Sequence, residues 1–236
     1  MGLIYTTGTN DHKASAALAG ADDSHGQCPL CMTRGASLFH CDRKREYYRC
    51  AACALVFVPR AWHLPPGEEK RRYDHHRNDP ADPAYRRFLA RLVDPLAARL
   101  RPGMRGIDFG CGPGPAVSRM MGEQGFPMAD YDIFYAPHVA LLEQRYDFLT
   151  CTEAVEHFAA PRREWARFMS LVKEGGWLGI MTQMLTRGVD FGSWYYKNDD
   201  THVCFYSRET FRFLARRHGL APTFIGDSVI LLQRRG

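Results

Sequence analysis

The 236-residue sequence predicts an α/β protein in which a doubly wound sheet is preceded by a small ribbon held by four cysteines. Three observations support this fold class. An apolar segment at 106–109 runs into a glycine-rich turn and then into a helical pattern, which is the order found in parallel sheets. Two C-x-x-C pairs lie nearer the amino terminus. The composition, with 45% hydrophobic and 24% charged residues, supports a buried core and excludes a disordered chain.

Charge and hydropathy bear on whether the protein contacts phosphates, spans a membrane or is secreted. The formal net charge is +5, and basic clusters at 43–45 and 70–72 are typical of solvated faces, although they could touch phosphates. No apolar run reaches the length of a bilayer span, so we expect a soluble, cytoplasmic protein without a membrane partner. Residues 1–26 show no periodicity and predict a flexible tail, with too short an apolar centre for a secretory signal.

The two cysteine pairs predict a metal site within residues 27–60. The pairs are Cys28 with Cys31 and Cys50 with Cys53, and their separation is typical of four-cysteine zinc sites. Iron in a rubredoxin-like site and two disulfides are the alternatives, and the lack of a secretory signal argues against disulfides. Because metal replaces a hydrophobic core in a ribbon this small, we expect structural Zn²⁺ that supports folding.

Residues 61–105 read as a linker followed by a packing helix. Apolar residues recur there at helical spacing, which predicts a helix beside the first strand of the main sheet. These residues are Tyr85, Phe88, Leu89, Leu92 and Val93. Asp94 followed by Pro95 predicts a helix restart, with the aspartate as cap and the proline in the first turn. Residues 106–236 are then the main domain.

The sequence GIDFGCGPGP at 106–115 carries the most specific signal. Asp108 is followed by Gly110, Gly112 and Gly114, whereas a dinucleotide fingerprint would need its third glycine where Pro115 stands. Glycines allow positive φ and let a ligand touch the main chain. This pattern resembles the first motif of class I S-adenosylmethionine (SAM) dependent methyltransferases, in which the glycines approach the amino-acid end of the cofactor.

The resemblance extends over residues 106–233 and implies a Rossmann-like methyltransferase sheet with SAM as cofactor. It implies that Asp132, at the end of a predicted strand at 127–132, binds the ribose. The full set of implied cofactor contacts is Asp108, Gly110, Cys111, Gly112, Gly114, Asp132, Ile133 and Thr152. Too few residues separate Asp132 from the next strand for the usual helix, strand and helix, so we expect the third strand to be missing, with a short helix at 139–145.

A second motif follows the predicted strand at 146–151. On a helix that starts there, Glu153, Glu156 and His157 would share one face, at the edge where open α/β sheets bind ligands. Together with His202, which precedes an F-x-S-R-E-x-F helix start, the motif resembles metal-dependent O-methyltransferases. Two groups show it: the small-RNA 3′-terminal 2′-O-methyltransferases and, with a looser match, the quinone-precursor O-methyltransferases.

This resemblance implies that Glu153, Glu156, His157 and His202 bind a second divalent ion. Mixed oxygen and imidazole ligands admit Mg²⁺ and suit Mn²⁺, Fe²⁺, Co²⁺ or Zn²⁺ better. The alternative is acid/base catalysis by Glu153, His157 or His202 without a metal.

The remaining segments complete the predicted fold. We expect a helix at 161–172, a strand at 177–182, a helix from a Ser207 cap to the stop at Gly219, and closing strands at 223–226 and 229–233. The aromatic insertion at 185–200 is typical of a lid over the acceptor, and packing of its rings on the sheet edge is the alternative. The expected substrate contacts are Trp194, Tyr195, Tyr196 and Tyr206.

The sequence therefore predicts a SAM-dependent methyltransferase that O-methylates a small hydroxylated molecule. One alternative is an RNA-modifying enzyme that contacts nucleic acid through the ribbon, which salt-sensitive binding would reveal. Another is a noncatalytic interaction protein. The oligomeric state stays open.

Overall fold

The computed structural model describes residues 26–75 and 78–236, so nearly all of the predicted tail lies outside the described residues. Helices and strands alternate through most of the chain. The helices are α1 (Pro66–Tyr73), α2 (Pro83–Ala97), α3 (Ala116–Glu123), α4 (Pro161–Leu171) and α5 (Arg208–His218). The strands are β1 (Ser37–Cys41), β2 (Glu46–Arg49), β3 (Val56–Phe57), β4 (Gly106–Phe109), β5 (Met128–Tyr131), β6 (Tyr146–Thr152), β7 (Val172–Met181), β8 (Cys204–Phe205), β9 (Leu220–Ile225) and β10 (Val229–Arg234).

A six-stranded sheet of order β5-β4-β6-β7-β10-β9 forms the centre of the protein. The first four strands in this order are parallel, and β10 runs antiparallel to both β7 and β9. Side chains alternate between the two faces, as in β10, where Ile230 and Leu232 join one apolar cluster and Leu231 joins the other. Both faces are therefore covered, as parallel strands require. The predicted α/β class is confirmed.

The segment between β5 and β6 lacks the third strand of the family sheet. Residues 132–145 contain a bridge between Asp132 and Ala136 and a 3₁₀ helix at Val139–Glu143, and no strand is present among them. The strand β5 is consequently an edge of the sheet. The prediction of a missing third strand with a short helix in its place is confirmed.

The cysteine-rich segment adds a second sheet that includes a strand from the main domain. Its order is β1-β2-β3-β8, and β3 pairs with β8 through Val56 opposite Phe205 and Phe57 opposite Cys204. One continuous apolar cluster runs from Leu55 in this segment to Phe211 in α5. The ribbon is thus joined to the main domain by backbone hydrogen bonds and by a shared core.

The helix α2 corrects the predicted restart at Asp94. It runs without a break through Pro95, and its N-cap is Asp82, whose side chain accepts a hydrogen bond from the amide of Ala84 at 2.8 Å. Buried side chains such as Leu92 and Leu96 lie on both sides of the proline. Because Pro95 lies close to the carboxyl end, it removes little of the helical hydrogen bonding while burial continues.

The cap of α5 matches the prediction. Ser207 and Thr210 form a capping box, and Gly219 ends the helix at φ +66°. Among residues 26–75 and 78–236, none of the helices combines the length and apolar character that a bilayer span requires.

Candidate active site

A cavity of about 580 Å³ opens at the carboxyl ends of β4, β5 and β6. Its walls come from the turns that follow these strands, at 110–113, 131–135 and 152–160, and from α1, α2 and α4. The carboxyl ends of parallel strands meet at one edge of the sheet, which is where open α/β sheets bind ligands. We call this space the main cavity.

The glycine turn brings bare backbone to the main cavity. Gly110 and Gly112 have φ values of +80° and +64°, and a Cβ on Gly110 would lie 2.8 Å from Cβ of Ala154. Any side chain at Gly110 would therefore be strained and crowded. Gly114 has another role, because a Cβ there would lie 1.9 Å from the carbonyl oxygen of Asn78, so this glycine permits close packing of the chain.

Two aspartates predicted to bind the cofactor lie in different environments. Asp132 lines the main cavity, and its carboxylate accepts hydrogen bonds from the amides of Gly112 at 3.1 Å and Phe134 at 2.8 Å. Asp108 is buried beneath the turn, where it accepts a hydrogen bond of 2.6 Å from the hydroxyl of Thr150. Burial raises the pKa of Asp108 to about 7. Asp132 thus links the glycine turn to the turn after β5 by hydrogen bonds, whereas Asp108 links β4 to β6.

The main cavity gathers most of the predicted cofactor residues. Six of the eight form part of its wall, namely Gly110, Cys111, Gly112, Asp132, Ile133 and Thr152. Asp108 and Gly114 support the turn from behind.

Beside these residues, Glu156, His157 and His202 form a compact group that we call the Glu-His-His cluster. One ligand atom from each lies within 4.8 Å of the others. Glu156 is fully buried, and its Oε1 accepts a hydrogen bond of 2.5 Å from the hydroxyl of Tyr196. Its Oε2 is also buried and has no hydrogen-bond partner among the described residues. An unpaired carboxylate oxygen in such a place is costly unless a ligand compensates it.

Both histidines of the cluster are held through Nδ1, and Nε2 of His202 also lies 3.9 Å from Oδ2 of Asp199. Nδ1 of His157 lies 3.1 Å from the carbonyl oxygen of Thr201, and Nδ1 of His202 lies 2.7 Å from that of Tyr196. A carbonyl only accepts, so each Nδ1 carries the proton and donates it, which leaves Nε2 with a lone pair in the neutral ring. Burial lowers the pKa of His202, which favours the neutral form. This arrangement is typical of histidines that bind metal.

Glu153 departs from the predicted helix. Its φ is +47°, in the left-handed region, and only a single 3₁₀ turn at Val155–His157 follows it. Its amide donates a hydrogen bond of 2.8 Å to the carbonyl of Met181, so the strand end, rather than a helix, fixes the backbone here. The expectation that three side chains share a helix face is therefore wrong.

Three of the four predicted ligands nevertheless converge, while Glu153 lies to one side on the cavity wall. Its Oε2 lies 3.3 Å from the Tyr196 hydroxyl, and burial together with the neighbouring Glu156 raises its pKa to about 8. Non-glycine residues with left-handed backbone are costly and tend to occur at functional sites.

In the predicted lid, Trp194 and Tyr196 are buried, and none of the four expected substrate contacts is part of the cavity wall. Trp194 is buried against Phe205, with ring centroids 5.9 Å apart, and Tyr206 is fully buried and accepts a hydrogen bond from Trp165. Tyr195 is exposed, and Tyr196 contacts the Glu-His-His cluster instead of the cavity. The burial of Trp194, Tyr196 and Tyr206 favours packing of these rings over contact with a substrate, and the substrate contact at exposed Tyr195 stays a prediction.

The helix α1 forms a wall of the main cavity that sequence reasoning missed. Tyr73 contacts the ring of His157 edge-on at 5.1 Å and that of Phe134 at 6.0 Å, and its hydroxyl donates a hydrogen bond to Glu69. The hydroxyl of Tyr135 donates to Asp74 at 2.7 Å. The available signal was an aromatic residue at the end of a charged helix, which gives no periodic pattern.

The four ribbon cysteines form a separate cluster, with their sulfurs all within 4.8 Å of one another. The Sγ atoms of Cys28 and Cys53 are 3.5 Å apart, and those of Cys31 and Cys50 are 3.4 Å apart. Four sulfurs about 2.3 Å from a tetrahedral ion would be separated by about 3.8 Å. The four cysteines are free, so the disulfide alternative is not observed, and the arrangement suits a tetrahedral ion.

The amino-acid sequence of residues 73–223 matches a family model described as a methyltransferase domain. The match covers more than half of the chain. The fold and the cavity thus define a class I methyltransferase. The chain belongs to this methyltransferase family and is a SAM-dependent enzyme. No curated protein matches the sequence.

Several solved structures are similar to the chain. The 1,6-didemethyltoxoflavin-N1-methyltransferase of Burkholderia thailandensis, solved with S-adenosylhomocysteine (SAH), is 15% identical over 85% of this chain and 100% of its own, with a TM-score of 0.47. Human N-acetylserotonin methyltransferase with SAM is 12% identical over 72% and 56%, with a TM-score of 0.47. A SAM-dependent methyltransferase of Thermotoga maritima is 16% identical over 72% and 96%, with a TM-score of 0.43. Such low values say nothing about the substrate of this chain.

Proposed function

We propose that the protein transfers a methyl group from SAM to a hydroxyl of a small molecule, and that Glu156, His157 and His202 hold a divalent ion beside this acceptor. The observation that carries the proposal is the buried Oε2 of Glu156, which has no partner among the described residues and belongs to a carboxylate grouped with two imidazoles whose Nδ1 atoms are held by carbonyls. One carboxylate and two imidazoles match the ligands of a divalent transition metal.

The chain offers a fitting place for SAM. The positive φ of Gly110 and Gly112 supports close approach of the amino-acid end to the backbone, and the Asp132 carboxylate on the cavity wall would accept hydrogen bonds from the ribose hydroxyls. Phe134 and Ile133 lie on the same wall and can contact the adenine. SAM supplies an activated methyl group, so the residues mainly need to align the acceptor with it.

The Glu-His-His cluster would serve acceptor activation. A divalent ion bound there lowers the pKa of a hydroxyl and fixes its position. The neutral ligands and the single carboxylate favour Mn²⁺, Fe²⁺, Co²⁺ or Zn²⁺ over Mg²⁺, which prefers oxygen. Glu153 lies on the adjoining wall of the main cavity. Its carboxylate would accept the proton of the acceptor hydroxyl as general base if no metal binds.

We also propose Zn²⁺ in the cysteine cluster and the division into a ribbon at 27–60, a linker with packing helix at 61–105 and a catalytic domain at 106–236. The sulfur separations support a tetrahedral ion, and binding of such an ion commonly contributes to the folding of a small segment. No specific observation favours RNA as the acceptor, so the small molecule is retained.

The test uses full-length protein with its ribbon loaded with zinc. SAH is titrated by calorimetry, and Mn²⁺ binding is followed by the loss of the free-ion electron paramagnetic resonance (EPR) signal, since Mn²⁺ prefers oxygen and nitrogen to thiolates. We expect Glu156→Gln and His202→Ala to weaken Mn²⁺ binding by more than about 10-fold while SAH affinity persists. The control is His138→Ala, at an exposed histidine outside the cluster.

The outcomes separate the two parts of the proposal. Wild-type protein that binds SAH but no Mn²⁺ would refute the metal site and favour Glu153 as general base. Wild-type protein that binds no SAH would contradict the cofactor assignment itself.

A further inference from the structure

Arg45, in the turn between β1 and β2, connects the ribbon to the neighbourhood of the Glu-His-His cluster. It is only 4% exposed. Its guanidinium donates hydrogen bonds to the carbonyls of Lys197 at 2.6 Å, Asp199 at 2.7 Å and Asp200 at 3.0 Å. Its Nε donates to the hydroxyl of Tyr47. The buried guanidinium therefore holds three backbone carbonyls in the segment 196–202.

The 196–202 segment orients all three residues of the cluster. The Tyr196 hydroxyl donates to Glu156, and the Tyr196 carbonyl accepts from Nδ1 of His202. The carbonyl of Thr201 accepts from Nδ1 of His157. A shift of this segment would move His202 and remove the partners that orient the other two residues.

The ribbon contacts the ends of this segment at further points. Nζ of Lys197 lies 2.9 Å from Oδ2 of Asp42, an ion pair whose lysine is buried. The amide of Val58 donates to the carbonyl of Val203, and the amide of Val203 donates to the carbonyl of Glu156, both at 2.9 Å. Val203 is thus the one residue between the ribbon backbone at Val58 and the backbone of Glu156 in this chain of hydrogen bonds.

We propose that the ribbon is a positioning module for the Glu-His-His cluster and that Arg45 is its main positioning residue. The proposal rests on the proposed metal site and adds a role for the ribbon. Loss of Arg45 removes a charged donor from three backbone carbonyls, which is expensive where the carbonyls are buried. The residues that orient metal ligands typically change metal affinity when they are altered. A folded, metal-loaded cysteine cluster then becomes a condition for a competent second site.

The experiment compares Arg45→Met with Arg43→Met in zinc-loaded, full-length protein. Arg43 is exposed in the same turn, so its substitution removes the same charge without the buried contacts. Mn²⁺ alone is the probe for the second site, read by EPR, and SAH affinity is measured on the same samples. We expect Arg45→Met to weaken Mn²⁺ binding about 10- to 100-fold, with SAH affinity and zinc content unchanged. Arg43→Met should match the wild type.

Mn²⁺ affinity that is unchanged in Arg45→Met, or weakened equally with SAH affinity, overturns the positioning role. If Arg45→Met loses zinc and SAH binding together, Arg45→Lys is measured in its place. A lysine offers one ammonium and fewer donors than the guanidinium, so Mn²⁺ binding should still be weakened. Wild-type Mn²⁺ affinity in Arg45→Lys would overturn the proposal. Absence of Mn²⁺ binding in the wild type would instead refute the metal site on which the proposal rests.

Discussion

The hydroxyl of Tyr196 donates a 2.5 Å hydrogen bond to Oε1 of Glu156, while the backbone carbonyl of the same tyrosine accepts from Nδ1 of His202. One residue thus orients two members of the Glu-His-His cluster, through its side chain and through its main chain. Only the side-chain contact can be removed by substitution, so the two contributions are separable.

Tyr196→Phe should weaken Mn²⁺ binding about 10-fold and leave SAH affinity unchanged, because the carboxylate loses its fixed donor while the His202 contact stays. A hydrogen bond to a charged group is worth about 1.5–3 kcal/mol, so some stability is also lost. The matched control is Tyr195→Phe, at the exposed neighbour. Equal Mn²⁺ affinity in the two variants would contradict the orienting role of Tyr196.

Gly110→Ala should abolish measurable SAH binding or weaken it by at least about 10-fold, since the added Cβ combines positive φ with contact to Ala154. Gly188→Ala is the control: Gly188 has φ +93°, but nothing lies within 4 Å of its added Cβ. Calorimetry with SAH reads the difference. Wild-type SAH affinity in Gly110→Ala would contradict the prediction. An equal loss of SAH affinity in both variants would show that positive φ alone, without contact in the main cavity, weakens SAH binding.

Asp108 should make stability depend on pH. Burial raises the pKa of its carboxyl from the ordinary value of 3.8 to about 7, so the folded state binds more protons than the unfolded state between these two pH values. Its contribution is therefore full below about pH 4 and is lost as pH rises through about 7, with a total of at most about 4 kcal/mol.

Urea unfolding of wild type and Asp108→Asn at pH 5 and pH 8 tests this dependence. The wild type should lose stability relative to the asparagine variant at the higher pH. The control is Asp94→Asn, at an exposed position, which should leave the free energy of unfolding unchanged at both pH values. The predicted titration would be contradicted if wild type and Asp108→Asn differed in free energy of unfolding by the same amount at pH 5 and pH 8.

Cys53→Ser should reduce the zinc content of purified protein from about one ion per chain to well below one, because a tetrahedral thiolate site loses a ligand. Thermal unfolding should shift to lower temperature, since metal binding contributes to folding. Metal analysis with Cys41→Ser as control checks this, as Cys41 is exposed and outside the cluster. Iron instead of zinc in the wild type would favour the rubredoxin-like alternative.

Local features of the fold were predictable because they depend on neighbours in the chain. The α5 cap at Ser207 and the stop at Gly219 follow from hydrogen bonding and backbone freedom within one turn. The missing third strand followed from a count of residues. Pro95 and Glu153 were misjudged because the packing of α2 and the end of β6 override local preference.

The sequence by itself determined the class of enzyme and the two groups of metal-ligand candidates. A glycine turn after a strand and paired cysteines are short motifs whose chemistry depends on spacing alone. Only the tertiary structure decided which residues of the second group meet. His202 reaches Glu156 and His157 because β8 pairs with the ribbon strand β3, and Glu153 is turned aside by its backbone. It also buried three of the four predicted substrate aromatics, Trp194, Tyr196 and Tyr206, and placed Tyr73 on the cavity wall, since burial of apolar area depends on contacts between segments far apart in the chain.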